Sequence, residues 1–456
     1  MSTDSSLLKK YDVPGPRYTS YPTVPYWSDS PTQAQWIHEI AAALDLNEKN
    51  NIGSAVYVHV PFCRSLCTYC GCNTRIARSN AVGLPYIETV LKEWDLYLEA
   101  LGGRRILLKE LHLGGGTPTF LSASELEYLI EGILSRSRIA DHPELSIEAD
   151  PRTTSEDQLR TLSKLGFKRL SLGIQDFDPR VQEIVHRVQS EEQVRQVTET
   201  ARQLGFTGVN YDLIYGLPLQ TQQSVQQTIE AVRRLRPDRI AFYAYAHVPW
   251  IKPGQRRFTE EDLPSGDEKR ALYELGRRQL EESGYREVGM DHFALETDAL
   301  WQSACNGKLH RNFMGYTPEL VAPQFGLGVS SIGDAWTAFA QNEKLLESYT
   351  TRVERGELPL LRGHLLNEED RILRKHVLNV MTTFGTDWSS PELQTPYLQS
   401  VPEKLAEFAR DGLVELTASS CRVTDKGRPF LRNICMAFDA RLSRQAPKTQ
   451  LFSRTV

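Results

Sequence analysis

The stretch "CRSLCTYCGCN", residues 63–73, gathers four of the chain's seven cysteines into ten residues. Thiols this close can pair as disulfides, bind zinc, hold an iron–sulfur cluster or stay reduced in a core. The spacing is Cys63-x3-Cys67-x2-Cys70, with Cys72 two residues further on. Structural zinc usually draws on two C-x2-C knuckles well apart in sequence. Here Cys305, Cys421 and Cys435 are scattered singly, so no second knuckle exists. An odd number of cysteines also disfavours a disulfide framework. The other residues able to do chemistry are the glycine run "HLGGGTPT" (112–119), Glu148 and Asp150 in "IEADPR", Gln175 and Asp176, Asp212, and His247. Their meaning depends on the elements that position them.

A chain of 456 residues is too long for one compact core, so one large domain with at least one appendage is expected. No apolar run approaches the ~18 residues of a membrane span. The N-terminal residues show no basic-then-apolar leader. A cytoplasmic protein with reduced thiols, away from any membrane, is therefore expected. The net charge is −5 and basic clusters such as "PGQRRF" are short, which argues against nucleic acid as the main partner.

Residues 14–32, "PGPRYTSYPTVPYWSDSPT", hold five prolines and four aromatics and read as an ordered arm. An amphipathic helix follows from Pro31 to Leu44. From residue 55 short β-branched runs alternate with helical patterns. Strands are expected at 55–60, 109–116, 144–150, 169–175, 208–216 and 239–248. Helices are expected at 85–101, 122–137, 155–166, 222–235 and 266–284, with two helical segments between strands four and five. Ser122 and Glu125 form a capping-box pattern. Six strand–helix units predict parallel strands with crossover helices, either a doubly wound sheet or an incomplete (β/α) barrel. In both, function sits at the carboxyl ends of the strands. The cysteines follow strand one there, Gly114–Gly116 end strand two, Glu148 and Asp150 strand three, and Gln175 and Asp176 strand four. Asp212 lies toward the end of strand five, and His247 ends strand six. The last hundred residues read as helices (368–384, 403–412 and "GRPFLRNICMAFDARL") around a small hairpin, a winged-helix-like appendage.

Three close cysteines in a loop after a first strand can hold three irons of a 4Fe-4S cube, leaving the fourth iron open to a ligand. C-x3-C-x2-C in that place, with Tyr69 before the last cysteine and glycines after strand two, resembles the radical S-adenosylmethionine (SAM) enzymes. Glycines there let the backbone approach a ligand closely. "GPRYTSYPT", "CGC", "HLGGGTPTFL", "IEADPR", "SLGIQDF", "VNYDLIYGLP", "YAHVPW", "GMDHFA", "LHRNFMGYT", "GVSSIG" and "RNICMAFD", in that order, resemble the oxygen-independent coproporphyrinogen III oxidases (coproporphyrinogen dehydrogenases) from residue 15 to the C-terminus.

The resemblance implies an α/β fold: an incomplete (β/α)6 radical SAM barrel with an N-terminal arm and a small helical, winged-helix-like C-terminal domain. The implied divisions are 1–50, an arm over the active site; 51–290, the barrel; 291–360, an extension completing the cavity; and 361–456, the C-terminal domain. It implies decarboxylation of two propionates of coproporphyrinogen III to vinyls, giving protoporphyrinogen IX, through a 5′-deoxyadenosyl radical. The implied cofactors are a 4Fe-4S cluster on Cys63, Cys67 and Cys70 and two SAM molecules. Tyr57, Gly115, Glu148 and Ile332 resemble contacts to the cluster-bound SAM. Tyr69, Gly116, Thr117, Gln175, Arg187, Asp212 and Ala246 resemble contacts to the second. Glu148 and Asp212 can hold an amine or ribose hydroxyls, and Arg187 a carboxylate; the competing reading of the two acids is a strand-end salt bridge to arginine. Cys72 stands as a fourth thiol that in this family does not ligate the cluster. Four propionates call for cations, and Arg17 and Arg311 are the candidates. An electron donor such as flavodoxin or ferredoxin and a monomeric state are also expected.

The chain departs from the family pattern at Met314, where Gln is common, at 317–325 and at 381–384. Its rivals are a haem chaperone of the same superfamily, which typically lacks the "GPRYTSYPT" arm and has Phe in place of Cys72; a radical SAM methylase or haem-degrading enzyme; and a redox carrier, disfavoured by length.

Overall fold

The computed structural model describes residues 5–50, 52–447, 449 and 451–455. Twelve strands join one open, mixed sheet. In chain order they are β1 (Ser54–Val60), β2 (Leu107–Gly115), β3 (Arg138–Ala149), β4 (Arg169–Gln175), β5 (Gly208–Tyr215), β6 (Arg239–Ala244), β7 (Tyr285–Gly289), β8 (His292–Leu295), β9 (Gln324–Leu327), β10 (Ile332–Asp334), β11 (Ala338–Asn342) and β12 (Leu360–Leu365). Their spatial order is β12-β11-β10-β9-β1-β2-β3-β4-β5-β6-β8-β7. β1 to β6 run parallel, as the alternation with helices requires. The chain then adds strands at both edges. β8 and β7 continue antiparallel from β6, and β9, parallel to β1, leads into the antiparallel β10 to β12. The two ends of the sheet do not pair, so the barrel stays open.

Residue alternation explains what each face does. In β4, Leu170, Leu172 and Ile174 are buried against the helices, while Arg169, Ser171, Gly173 and Gln175 are only half buried and look inward. The helices form where apolar spacing and caps agree. Ser122, Ser155, Ser190, Thr221 and Ser265 each open a helix with a capping box. Trp36, Trp94, Tyr97 and Phe325 lock the β1–β9 region, with Phe325 edge-on to Trp94 at 5.1 Å and to Tyr97 at 5.4 Å. Buried Glu93, on helix Gly83–Ala100, accepts from Gly328 N at 2.8 Å, Asn342 Nδ2 at 2.6 Å and Tyr349 Oη at 2.6 Å. These bonds tie the β9–β11 extension to the barrel.

The N-terminal arm is bonded to β6 and to β12. The Arg17 guanidinium donates to Ala244 O at the end of β6 (2.9 Å), and Leu365 N of β12 donates to Asp29 O (2.8 Å). Between these points Tyr18 and Tyr21 enter the core of the C-terminal region with Leu373, Val377 and Phe438, and Trp27 stacks on Phe339 at 5.4 Å. That region sets helix Glu368–Thr383 and helix Val401–Arg410 beside a three-stranded sheet, Gly385–Asp387, Val414–Leu416 and Ser420–Val423.

Three expectations need correction. β3 begins at Arg138, six residues earlier than its apolar run, because its first residues pair along β2 despite exposure. β6 stops at Ala244, so His247 lies in the following segment; after Tyr245 N bonds Tyr215 O the chain turns away toward Pro249 and the 3-10 turn Pro253–Arg257. The expected helix 427–442 breaks into a 3-10 turn and two short helices, since Pro429 interrupts it and Asp439 caps a new start at Leu442 N (2.8 Å). No helix among the described residues is long and apolar enough to cross a membrane.

Candidate active site

A cavity of about 570 Å³ occupies the inside of β2 to β6 and opens beside the cysteine loop. Cys63, Cys67, Cys70 and Cys72 line it, together with Tyr69, Gly115, Gly116, Thr117, Glu148, Gln175, Arg187 and Asp212. Among the described residues no group of three or more His, Cys, Asp or Glu is placed to hold a single metal ion. The thiols of Cys63, Cys67, Cys70 and Cys72 do share one open space, which suits a multi-iron cluster.

The loop's own bonds separate the fourth thiol from the other three. Cys72 N donates to Cys70 Sγ at 3.4 Å, and the Cys72 thiol adds a second bond to the same sulfur. These bonds lower Cys70 and raise Cys72, so the negative charge rests on Cys70. Thr117 Oγ1 stands 3.5 Å from Cys63 Sγ. Arg187 Nη1 and Arg152 Nη2 approach Cys67 Sγ at 3.7 and 3.8 Å, placing two positive charges beside that sulfur.

The glycines are there for space. A Cβ on Gly115, whose φ is +115°, would fall 2.7 Å from the His59 ring, and one on Gly116 would lie 2.6 Å from Pro61 O. Gly115 N donates to Glu148 Oε2 at 3.0 Å, and His112 Nε2 faces Glu148 Oε1 at 3.5 Å. Burial pushes the Glu148 carboxyl up, but the bonds from His112 and Gly115 outweigh it and hold it below its ordinary range. Asp212 accepts from Ser171 Oγ at 3.1 Å and Asn210 Nδ2 at 3.0 Å. Burial, then the neighbouring Glu148 charge, raises Asp212 to about 6. Among the described residues neither acid pairs with an arginine, so the salt-bridge reading fails for both. Arg187 does have a partner: Asp150 Oδ2 at 3.2 Å, with Gly173 O accepting from Nε at 3.1 Å.

Three expected contacts stand behind the lining. Tyr57 stacks on His112, ring to ring at 5.9 Å. Ile332 opens β10, its carbonyl accepting from Gln324 Nε2 at 3.3 Å. Ala246 follows β6, its carbonyl held by Gln255 Nε2 at 3.2 Å. Arg17 lines a different cavity of about 730 Å³, outside β5 and β6. It also faces Asp291 at 3.6 Å. Arg311 is 5% exposed, its guanidinium 4.5 Å over the Tyr316 ring. Its Nη2 reaches Arg17 O at 3.4 Å, while Nε and Nη1 are buried without a partner.

Sequence reading missed His112, Ser146, Asn210, Tyr243 and His292, all on the cavity wall. Most could have been found by counting in twos: His112, Ser146 and Asn210 precede Gly114, Glu148 and Asp212 by two residues, hence point the same way. It also missed the Asp150–Arg152 pair, 2.6 Å apart, which orients Arg152 toward Cys67.

Residues 57–232 match the model of the radical SAM superfamily. The chain is 37% identical to the oxygen-independent coproporphyrinogen III oxidase of Pseudomonas aeruginosa, over 99% of this chain and 98% of that one. It is 38% identical to the Escherichia coli protein of the same name, over the same shares. The Synechocystis protein of that name is 35% identical, also over 99% and 98%. The solved structure of Escherichia coli coproporphyrinogen III oxidase, described as a radical SAM enzyme, superposes with a TM-score of 0.89 at 36% identity, over 96% of this chain and 99% of that one. This chain therefore belongs to the oxygen-independent coproporphyrinogen III oxidase family of the radical SAM superfamily.

Proposed function

We propose that this chain converts coproporphyrinogen III to protoporphyrinogen IX without oxygen, by oxidative decarboxylation of two propionates. The observation that carries the reading is the single cavity that joins the Cys63–Cys70 loop to the glycine end of β2 and to Glu148 and Asp212. The donor set, three thiols on one loop with a fourth turned to Cys70, fits a 4Fe-4S cluster with one open iron. Held there by Cys63, Cys67 and Cys70, the cluster with SAM would supply the one-electron, hydrogen-abstracting chemistry that oxidative decarboxylation of a propionate to a vinyl needs.

The chain's own residues bind, orient and shield. Cys63, Cys67 and Cys70 hold the irons. Tyr57, Gly115, Glu148 and Ile332 form the site for the cluster-bound SAM. Glu148 is kept ionised for its amine by His112 and Gly115. Tyr69, Gly116, Thr117, Gln175, Arg187, Asp212 and Ala246 form the site for a second SAM. Arg187 takes up a carboxylate there by sharing the charge it now gives Asp150. Arg311, whose Nε and Nη1 lack a partner, is the cation we assign to a substrate propionate. Arg17 acts by fixing the arm to the end of β6.

Residues 1–50 serve as the arm, 51–290 as the radical-generating barrel, 291–360 as its extension and 361–456 as the domain that seats the arm. Met314, Tyr316 and Thr317 of the extension line the cavity, which supports that division. The protein works as a monomer in the cytoplasm, with flavodoxin or ferredoxin as donor. Equilibrium dialysis of the reconstituted protein against labelled SAM tests the site: two equivalents per chain are expected, and one in Asp212→Asn. A single equivalent in the wild type would refute the second site.

A further inference from the structure

We propose that the surface over the cysteine loop is the docking face for an acidic one-electron carrier protein of the flavodoxin or ferredoxin class, a proposal that rests on the cluster chemistry above. The loop that carries the thiols is itself exposed on this side. Arg64, Ser65 and Leu66 are exposed while Cys67, next in the chain, is buried.

Three other segments are bonded onto the loop and extend the same face. In the segment after β6, Lys252 Nζ donates to Cys72 O and Gln255 Nε2 to Tyr69 O, both at 3.0 Å. Leu66 lies against Gly254, where a Cβ would meet it at 3.3 Å. Behind it, Thr68 N bonds Val185 O at 3.0 Å, and Arg257 bonds His186. On the far side, Asn73 Nδ2 bonds Lys344 O at 3.0 Å.

The face is apolar at its middle and cationic around it. Trp250 is 49% and Ile251 57% exposed, and Leu66, Val188 and Leu345 are exposed too. The cations are Arg64, Lys252, Arg256, Arg257 and Lys344. Arg64, Lys252, Arg256 and Arg257 donate to carbonyls, Asn80 and His186. Lys344 is close enough to Arg362 and Lys252 that these charges, after burial, lower its hold on a proton. Arg75 also lies here but is paired with Glu347, and Glu183, Glu260 and Glu261 are exposed at the margin. A local cationic field on a chain of net charge −5 steers and orients an acidic partner, and the exposed indole supplies an anchor. An apolar centre with a charged rim is the composition of a brief, specific encounter.

The test uses the reconstituted full chain, a reduced flavodoxin as carrier and dithionite as a small reductant. Trp250→Ala and the double variant Arg256→Glu/Lys344→Glu should weaken flavodoxin binding about tenfold or more. The double variant should also lose most of the salt dependence of binding and slow cluster reduction by flavodoxin. Iron content, cluster reduction by dithionite and dithionite-driven SAM cleavage should stay at wild-type levels. Unchanged flavodoxin affinity in both variants would overturn the proposal, as would equal losses with flavodoxin and dithionite. Failure of the wild type to cleave SAM with dithionite would instead strike the cluster chemistry itself.

Discussion

Replacing Asp212 by Asn should make the cluster-free protein more stable and deprive the reconstituted protein of substrate turnover. Asp212 is half buried on the cavity wall, forms no ion pair among the described residues and faces the charge of Glu148. Its folded value of about 6 lies above the ordinary 3.8, so the folded state holds the proton more tightly than the unfolded chain. The stability it contributes is therefore complete below about pH 4 and is lost as pH rises through about 6. That interval corresponds to about 3 kcal/mol against the ionised folded form. An Asn side chain escapes the loss without orphaning its neighbours. Its carbonyl can accept from Asn210 Nδ2 and its amide can donate to Ser171 Oγ. Urea unfolding of the cluster-free proteins should give equal stabilities near pH 4 and an advantage of up to about 3 kcal/mol for the variant at pH 8. A variant as stable as the wild type or less so at pH 8 would refute the reasoning. It would mean that Asp212 is held by structural bonds and is not kept charged for a ligand.

Single Ala changes at Cys63, Cys67 and Cys70 should each abolish SAM cleavage, whereas Cys72→Ala should keep its cluster by iron and sulfide analysis; loss of the cluster in that variant would contradict the open iron. Arg311→Ala should leave SAM binding intact and raise the KM for coproporphyrinogen by about tenfold or more, the loss of a charge-assisted bond, in steady-state assays. Phe325→Ala should lower stability by about 3–5 kcal/mol in denaturant titration, because Trp94 and Tyr97 lose the ring they pack against.

The barrel was legible because six apolar runs alternate with capped helices, and parallel strands are the direct consequence. The cluster loop was legible because three thiols at that spacing have few other uses. The edge strands were not. β7 to β11 are three to five residues long, and the pairings that join them to the barrel are distant in sequence: Ala55 of β1 meets Gln324 of β9, and Ala241 of β6 meets His292 of β8. No local period records that. Period-two counting would have found His112 and Asn210, since each shares a strand face with a residue already singled out. Arg187 was named for a ligand carboxylate, but its pairing with Asp150 depends on a turn after β3 that sequence does not fix. Arg17 reads in the sequence as a propionate candidate or as half of an ion pair, and the fold sets it against Ala244 O and Asp291.

The most direct test is anaerobic incubation of the reconstituted chain with coproporphyrinogen III, SAM and a reductant, followed by mass analysis of the oxidised porphyrins. Conversion should proceed through a product that has lost one CO₂ to one that has lost two, each accompanied by loss of two hydrogens, with 5′-deoxyadenosine formed alongside. Formation of 5′-deoxyadenosine with coproporphyrinogen unchanged, or a methylated or ring-opened tetrapyrrole in place of the divinyl product, would contradict the assigned reaction.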